Sequence, residues 1–125
     1  MRHNITGWKV GTDERQRLLT CFPPRYPRVV ADHVTLRFGT GARTPLPAAR
    51  SAEIIGIADD EKGVQALVLR IAGTSARGDG SHYHITWSLA SGRQARESND
   101  VIADTGWQPV DPAITISIVP ARWEG

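Results

Sequence analysis

Two four-residue motifs in this chain share one pattern: histidine, apolar residue, threonine, apolar residue. The first motif is HVTL at residues 33–36, and the second motif is HITW at residues 84–87. In a β-strand, residues i and i+2 point to the same face. Each motif therefore predicts a histidine and a threonine on one face, about 7 Å apart along the strand, with two apolar side chains on the other face.

These four polar side chains are suited to the hydrolysis of a phosphodiester. Such a reaction needs a base to activate water, an acid to protonate the departing oxygen, and donors for the charged phosphoryl oxygens. Histidine can hold either protonation state near neutral pH. His33 and His84 can therefore divide the acid and base roles across a phosphate, and we favour His84 as base and His33 as acid. Thr35 and Thr86 can donate to the phosphoryl oxygens.

No metal and no cofactor is expected for this chemistry. The chain has one cysteine and four histidines, and their positions do not follow the usual spacing of metal ligands. The single cysteine, Cys21, also excludes an internal disulfide. We expect it to be a small buried apolar residue beside Phe22 on a helix.

The pattern of apolar and polar residues predicts the elements that position the motifs. It indicates six strands and two helices in the order βαββββαβ, with strands at residues 5–10, 28–38, 52–58, 64–72, 82–89 and 112–119 and helices at residues 13–22 and 96–104. We expect Asp13 with Gln16 to form a capping box, and Ser98 and Asn99 to cap the second helix. The prediction is an α+β domain, two-lobed and mostly antiparallel, with the two motif strands facing a central cleft.

Length and composition indicate one soluble domain spanning residues 1–125. Forty per cent of the residues are apolar and 22% are charged, which is ordinary for a globular protein. No run of 18 apolar residues indicates a membrane span, and no secretory signal is recognisable, so we expect a cytoplasmic protein. The net charge of +2 argues against non-specific nucleic-acid binding. Thirteen of the fifteen basic residues are arginine, which suits phosphate recognition or reflects a GC-rich genome.

Several other residues are candidate substrate contacts. His82 shares a strand face with His84, although a solvated strand-end histidine is the simpler interpretation. Arg37 continues the face of the first motif and either reaches a phosphate or forms a surface ion pair. Trp8 and Tyr26 are ranked ahead of Tyr83 for stacking on a base. Trp87 and Trp107 are expected in the core, and loop arginines are candidate contacts or solvated: Arg43, Arg50, Arg77, Arg93 and Arg96. The tripeptide Arg77-Gly78-Asp79 resembles an adhesion motif, and we attribute that resemblance to chance.

The two motifs resemble the signature of the two-histidine (2H) phosphoesterase superfamily. Residues 84–102, HITWSLASGRQARESNDVI, are similar to the cyclic phosphodiesterase domains of fungal and plant tRNA ligases and of small bacterial and viral relatives. There a Gly-containing turn and a Ser-Asn pair that opens a helix follow the second motif. The resemblance covers roughly residues 28–119. The chain is short for this family, with the two histidines 51 positions apart, so its groove is either open or completed by a second subunit.

The resemblance implies a metal-independent phosphodiesterase that opens a cyclic nucleotide phosphate, such as a 2′,3′-cyclic phosphate at an RNA end. It implies His33 and His84 as catalytic residues and Thr35 and Thr86 as phosphate-binding residues. The expected partner is a nucleotide or RNA-end substrate, and the sequence leaves the oligomeric state open. The alternatives are a non-catalytic nucleotide- or RNA-binding module that keeps the pocket, and a structural domain in which both histidines are ordinary strand residues.

Overall fold

The computed structural model describes residues 4–124 and has an α+β architecture, as the sequence predicts. Over these residues it contains eight strands and two helices. In chain order they are β1 (Asn4–Lys9), α1 (Thr12–Cys21), β2 (Arg28–Val29), β3 (His33–Thr40), β4 (Ser51–Asp59), β5 (Val64–Arg70), β6 (His84–Leu89), α2 (Glu97–Thr105), β7 (Gln108–Ser117) and β8 (Val119–Glu124).

The strands form two antiparallel sheets, and each sheet carries one motif. The three-stranded sheet has the order β3-β1-β8, and the five-stranded sheet has the order β2-β6-β5-β4-β7. The first motif begins β3 in the smaller sheet, and the second motif begins β6 in the larger one. The predicted two-lobed, mostly antiparallel arrangement is therefore confirmed. The predicted hairpin is confirmed as well, since β4 and β5 pair across the acidic turn after Asp59.

The predicted count of six strands is wrong because two of the expected strands are divided between the sheets. The expected strand at residues 28–38 is interrupted at Ala31, whose φ of 44° lies in the left-handed region and breaks a strand ladder. Its first part, β2, joins β6, and its second part, β3, joins β1. The last expected strand is likewise replaced by β7 in the larger sheet and β8 in the smaller one.

The core holds the two sheets and both helices together. On one face of the five-stranded sheet, a cluster of buried side chains packs with α1 and with β3; it includes Leu18, Val34, Leu67, Ile85 and Trp87. On the other face a smaller cluster packs with α2; it includes Val64, Val68, Leu89, Val101 and Ile102. The expectation of a buried Trp87 is confirmed, because this side chain is fully buried. Trp107 is only partly buried, against the smaller cluster.

Neither helix has the predicted side-chain cap. Helix α1 begins at Thr12 with Gly11 as its N-cap, so Asp13 lies inside the first turn, where its charge favours the helix dipole instead. Helix α2 has Arg96 as its N-cap, and Ser98 lies inside the first turn. The prediction of a buried Cys21 is also wrong, since this residue ends α1 on an exposed face.

A search of residues 4–124 for a helix of the length and apolarity needed to cross a membrane finds none.

Candidate active site

The two motifs meet at one cavity of about 130 Å³ between the sheets. All four motif residues singled out by the sequence line it. The lining residues are Ile5, His33, Thr35, Phe38, Arg77, His84, Thr86, Ala95, Arg96 and Asn99. The structure therefore brings together on one surface the two histidines and two threonines that the sequence places on separate strands.

The cavity forms where the edges of two sheets come together and then separate. Among the described strands, β3 forms a ladder with β1 alone. Strand β2 covers the edge of β6 only at its far end, at Ser88 and Leu89. Next along that edge, the Ala31 amide donates to the Thr86 carbonyl at 3.0 Å. Between this bond and His84, the edge of β6 faces β3, and the gap leaves room for a ligand.

His33 lies half-buried beside a charged network. Its Nδ1 is 3.3 Å from a carboxylate oxygen of Asp32, and the same oxygen accepts from Lys9 Nζ at 2.8 Å. The Trp123 ring lies 5.1 Å from the His33 ring. Burial lowers the pKa of His33, and the Asp32 carboxylate opposes that shift. Nε2, which has no protein partner among residues 4–124, is left for a ligand.

His84 has a different environment. Its Nδ1 is 2.9 Å from the His82 carbonyl, which can only accept, so this hydrogen bond assigns the proton to Nδ1 and the lone pair to Nε2. Burial lowers the pKa of His84, the His82 carbonyl opposes this, and the positive charges of Arg77 and His33 lower it further. The lowered pKa favours the neutral imidazole of His84, the form that accepts a proton.

The two threonine hydroxyls are also unequal. The Thr86 hydroxyl forms hydrogen bonds within the protein: it donates to the Ala95 carbonyl at 3.2 Å and lies 2.9 Å from the Ser98 hydroxyl. Ser98, expected as a cap, instead supports the second motif. The Thr35 hydroxyl has no hydrogen-bond partner within residues 4–124. It is thus the one that can donate to a ligand without breaking a bond.

Two further residues of the cavity wall were not selected from the sequence. Arg77 was only one of several loop arginines, yet its side chain is 5% exposed and lines the cavity. Phe38 is 58% exposed at the same cavity, and the Arg77 guanidinium lies 5.9 Å from its ring centre. The sequence could have indicated Phe38 as a cavity residue, because it lies on the same strand as the first motif. No local pattern in the sequence marks Arg77.

Four predicted substrate contacts do not line this cavity. The interpretation of Trp8 as a stacking surface is wrong, because it is 2% exposed in the core and its indole donates to the Ala49 carbonyl. The Tyr26 hydroxyl donates to Asp59 at 2.7 Å, at the end of β4. His82 packs on Trp107 and lies 3.1 Å from the Ser75 hydroxyl. Arg37 is exposed on β3 and does not line the cavity.

A larger cavity of about 480 Å³ lies at the end of α1, and it contains none of the motif residues. Its lining includes Cys21, Phe22, Arg25, Asp59 and Trp107. The Asp59 carboxylate there is already paired with Arg25 and with the Tyr26 hydroxyl. This cavity is larger than the one between the motifs, but no histidine lines it, so it offers no counterpart of the acid–base pair.

Over residues 4–124, no group of three or more His, Cys, Asp or Glu side chains is placed to hold a metal ion.

Comparison of the chain with protein-family models, with curated proteins and with solved structures finds no match. The geometry and electrostatics of the small cavity are therefore the evidence on which a function rests.

Proposed function

We propose that the protein is a metal-independent phosphodiesterase that hydrolyses a cyclic nucleotide phosphodiester, such as a 2′,3′-cyclic phosphate at an RNA end. The observation that carries this proposal is the meeting of His33 and His84 in one cavity with Thr35 and Thr86, with neither Nε2 hydrogen-bonded to a residue of 4–124. The resemblance of the two motifs to the two-histidine phosphoesterases implies the same reaction.

In the proposed reaction the two imidazoles act on opposite sides of the phosphorus. His84 Nε2 accepts a proton from water while the water oxygen bonds to phosphorus. The bond from phosphorus to one ribose oxygen breaks, and His33 Nε2 donates its proton to that oxygen. The product is a phosphate monoester, and solvent then returns the two imidazoles to their starting protonation states. Each proton transfer of this kind contributes about 10²- to 10⁴-fold to a rate.

The surroundings of the histidines support this division of roles. Burial and the Lys9 charge lower the pKa of His33, and the Asp32 carboxylate beside Nδ1 opposes them, which favours the protonated form that an acid requires. The neighbouring Arg77 charge disfavours protonation of His84, as a base requires. The Thr35 hydroxyl, which has no other partner among the described residues, is placed to donate to a phosphoryl oxygen.

Two features of the cavity favour a nucleotide as the substrate. Its volume of about 130 Å³ is below the roughly 300 Å³ at which pockets for whole small molecules begin, so a phosphoryl group enters and the rest of the ligand stays outside. At the cavity Phe38 presents an exposed aromatic ring, the type of surface on which nucleobases stack. A phosphate inside with a base against Phe38 satisfies both features.

Phosphorus NMR with 2′,3′-cyclic AMP in the presence of EDTA tests the proposal. We expect the unmutated protein to convert the cyclic phosphate to one monoester, and the His33→Ala/His84→Ala double variant to do so at least 100-fold more slowly. His82→Ala is the matched control, because it removes a neighbouring histidine that does not line the cavity, and it should retain activity.

Other outcomes of this experiment would count against the proposal. Ligand signals that shift without any turnover, and that cease to shift in the double variant, would identify a non-catalytic nucleotide-binding module. Equal turnover by the double variant would place the activity elsewhere. Turnover that EDTA abolishes would overturn the metal-independent mechanism.

A further inference from the structure

Arg77 is a nearly buried arginine in the wall of the cavity. Its guanidinium joins three elements: Nη1 is 3.5 Å from the Thr35 carbonyl of β3, Nη2 is 3.3 Å from the Asn99 side chain of α2, and Asp79 lies beside it in the loop before β6. We propose that Arg77 is a further catalytic residue, which contacts the phosphoryl oxygens of the substrate and supplies the positive charge of the site. This inference rests on the proposed function.

The hydrogen bonds of Arg77 leave part of the guanidinium available. A guanidinium has five N–H donors. Asp79 occupies Nε at 3.2 Å and Nη2 at 3.0 Å, and Asn99 takes the remaining position on Nη2. The contact of Nη1 with the Thr35 carbonyl, at 3.5 Å, is at the limit of a hydrogen bond. Nη1 can therefore donate to an oxyanion held beside Thr35.

A phosphodiester anion in this cavity requires the positive charge of Arg77. Burial favours the neutral form of both imidazoles, so neither is a permanent cation for a phosphodiester anion. Arginine stays protonated at all relevant pH values and matches the geometry of phosphate oxygens. Arg96 also lines the cavity, but it is exposed to solvent, where screening weakens its effect.

Asp79 positions the guanidinium rather than cancelling its charge inside the cavity. The Asp79 side chain is 54% exposed, whereas that of Arg77 is 5% exposed, so water screens the carboxylate more strongly than the cation. The effect on His84 agrees with this difference, because the Arg77 charge acts on the pKa of His84 more strongly than the Asp79 charge does.

The loop that carries Arg77 is built as a tight hairpin. Ala76 bridges to His82, and the Arg77 amide donates to the Ser81 carbonyl at 2.9 Å. Between them Gly78 and Gly80 have positive φ angles of 100° and 91°, which glycine adopts without strain. The sequence Arg-Gly-Asp-Gly is thus explained by a turn that directs Arg77 into the cavity.

The test compares Arg77→Gln and Arg77→Lys with the unmutated protein. Removing one transition-state donor typically costs 10²- to 10³-fold, and we expect Arg77→Gln to lower kcat/KM for 2′,3′-cyclic AMP by about that factor. It should also weaken the binding of inorganic phosphate and raise the pKa of His84 in an NMR titration. Arg77→Lys keeps the charge and should recover part of the loss. Arg70→Gln is the control, since Arg70 pairs with Glu53 on the sheet and does not line the cavity.

The outcomes separate this inference from the proposed function. If the protein hydrolyses the substrate and Arg77→Gln retains phosphate affinity and the pKa of His84, the inference fails and the function stands. If no hydrolysis occurs but phosphate binding depends on Arg77, the function fails while the anion site stands. Should Arg77→Gln not fold, the guanidinium NMR signals of Arg77 in the unmutated protein decide: a shift on titration with inorganic phosphate supports the inference, and no shift overturns it.

Discussion

The two motifs have the same sequence pattern but different surroundings. His33 begins an edge strand of the smaller sheet, and its Nδ1 meets the Asp32 carboxylate. His84 begins a strand of the larger sheet, and its Nδ1 meets a backbone carbonyl. Burial lowers the pKa of both. At His33 the Asp32 carboxylate opposes the shift and the Lys9 charge adds to it. At His84 the His82 carbonyl and the Asp79 charge oppose the shift, and the Arg77 charge adds to it.

The difference shows how one repeated pattern can support two chemical roles. A carboxylate beside an imidazole stabilises the imidazolium, and a guanidinium destabilises it. The threonine hydroxyls also differ, because that of Thr86 is hydrogen-bonded to Ser98, while that of Thr35 has no hydrogen-bond partner among residues 4–124. The asymmetry arises from the residues around each motif and not from the motifs themselves.

The largest effect is expected from removing each histidine in turn. His33→Ala and His84→Ala should each lower kcat/KM for 2′,3′-cyclic AMP by about 10²- to 10⁴-fold. A substrate with a 4-nitrophenolate leaving group sharpens the comparison, because that group departs without a proton. Its hydrolysis should be restored in His33→Ala and not in His84→Ala. The opposite pattern of rescue would reverse the assigned roles.

The threonines should separate rate from stability. Thr35→Val removes a hydroxyl that has no other described partner, and we expect a rate loss of about 10- to 100-fold with little change in the free energy of unfolding. Thr86→Val leaves the buried Ser98 hydroxyl short of a partner and should lower the free energy of unfolding by about 1–3 kcal/mol. Urea denaturation and steady-state kinetics on both variants measure this. Equal effects on both quantities would show that the threonines are equivalent.

A smaller effect is expected from Asp32→Asn, which removes the group that favours protonated His33. The pKa of His33 should fall, and the fraction in the acid form at pH 7 should fall several-fold. In a plot of kcat/KM against pH, the limb that reports His33 should move to lower pH. The control Asp104→Asn changes an exposed carboxylate outside the cavity. A profile that does not move would remove Asp32 from the acid assignment.

The smallest effect is expected in stability against pH. The pKa values of both motif histidines are lower in the folded protein than the value of about 6.5 that histidine has in an unfolded chain. The unfolded state therefore binds more protons as pH falls below about 6.5, so the free energy of unfolding should decrease on that side. The double variant His33→Gln/His84→Gln should lose part of this decrease. Urea titrations at pH 7.5 and pH 5.5 make the comparison.

Local patterns were sufficient for several features of the fold. Alternation of apolar and polar residues identified the strand beginning at His84, and the acidic turn identified the hairpin of β4 and β5. The split at Ala31 was not predicted in this way, because the β-branched residues on either side of it, Val29, Val30 and Val34, favour one continuous strand. The exposed Cys21 and the buried Trp8 were also missed, since burial depends on which face of an element meets the core.

The sequence by itself determined which side chains share a strand face: His33 with Thr35, and His84 with Thr86. That relation is local, because the side chains of a strand alternate with a period of two. Only the tertiary structure decided that the two faces meet at one cavity, that Arg77 enters it from a loop, and that the two histidines differ in charge environment. Those relations depend on the packing of two sheets, which places residues together that are far apart in the chain.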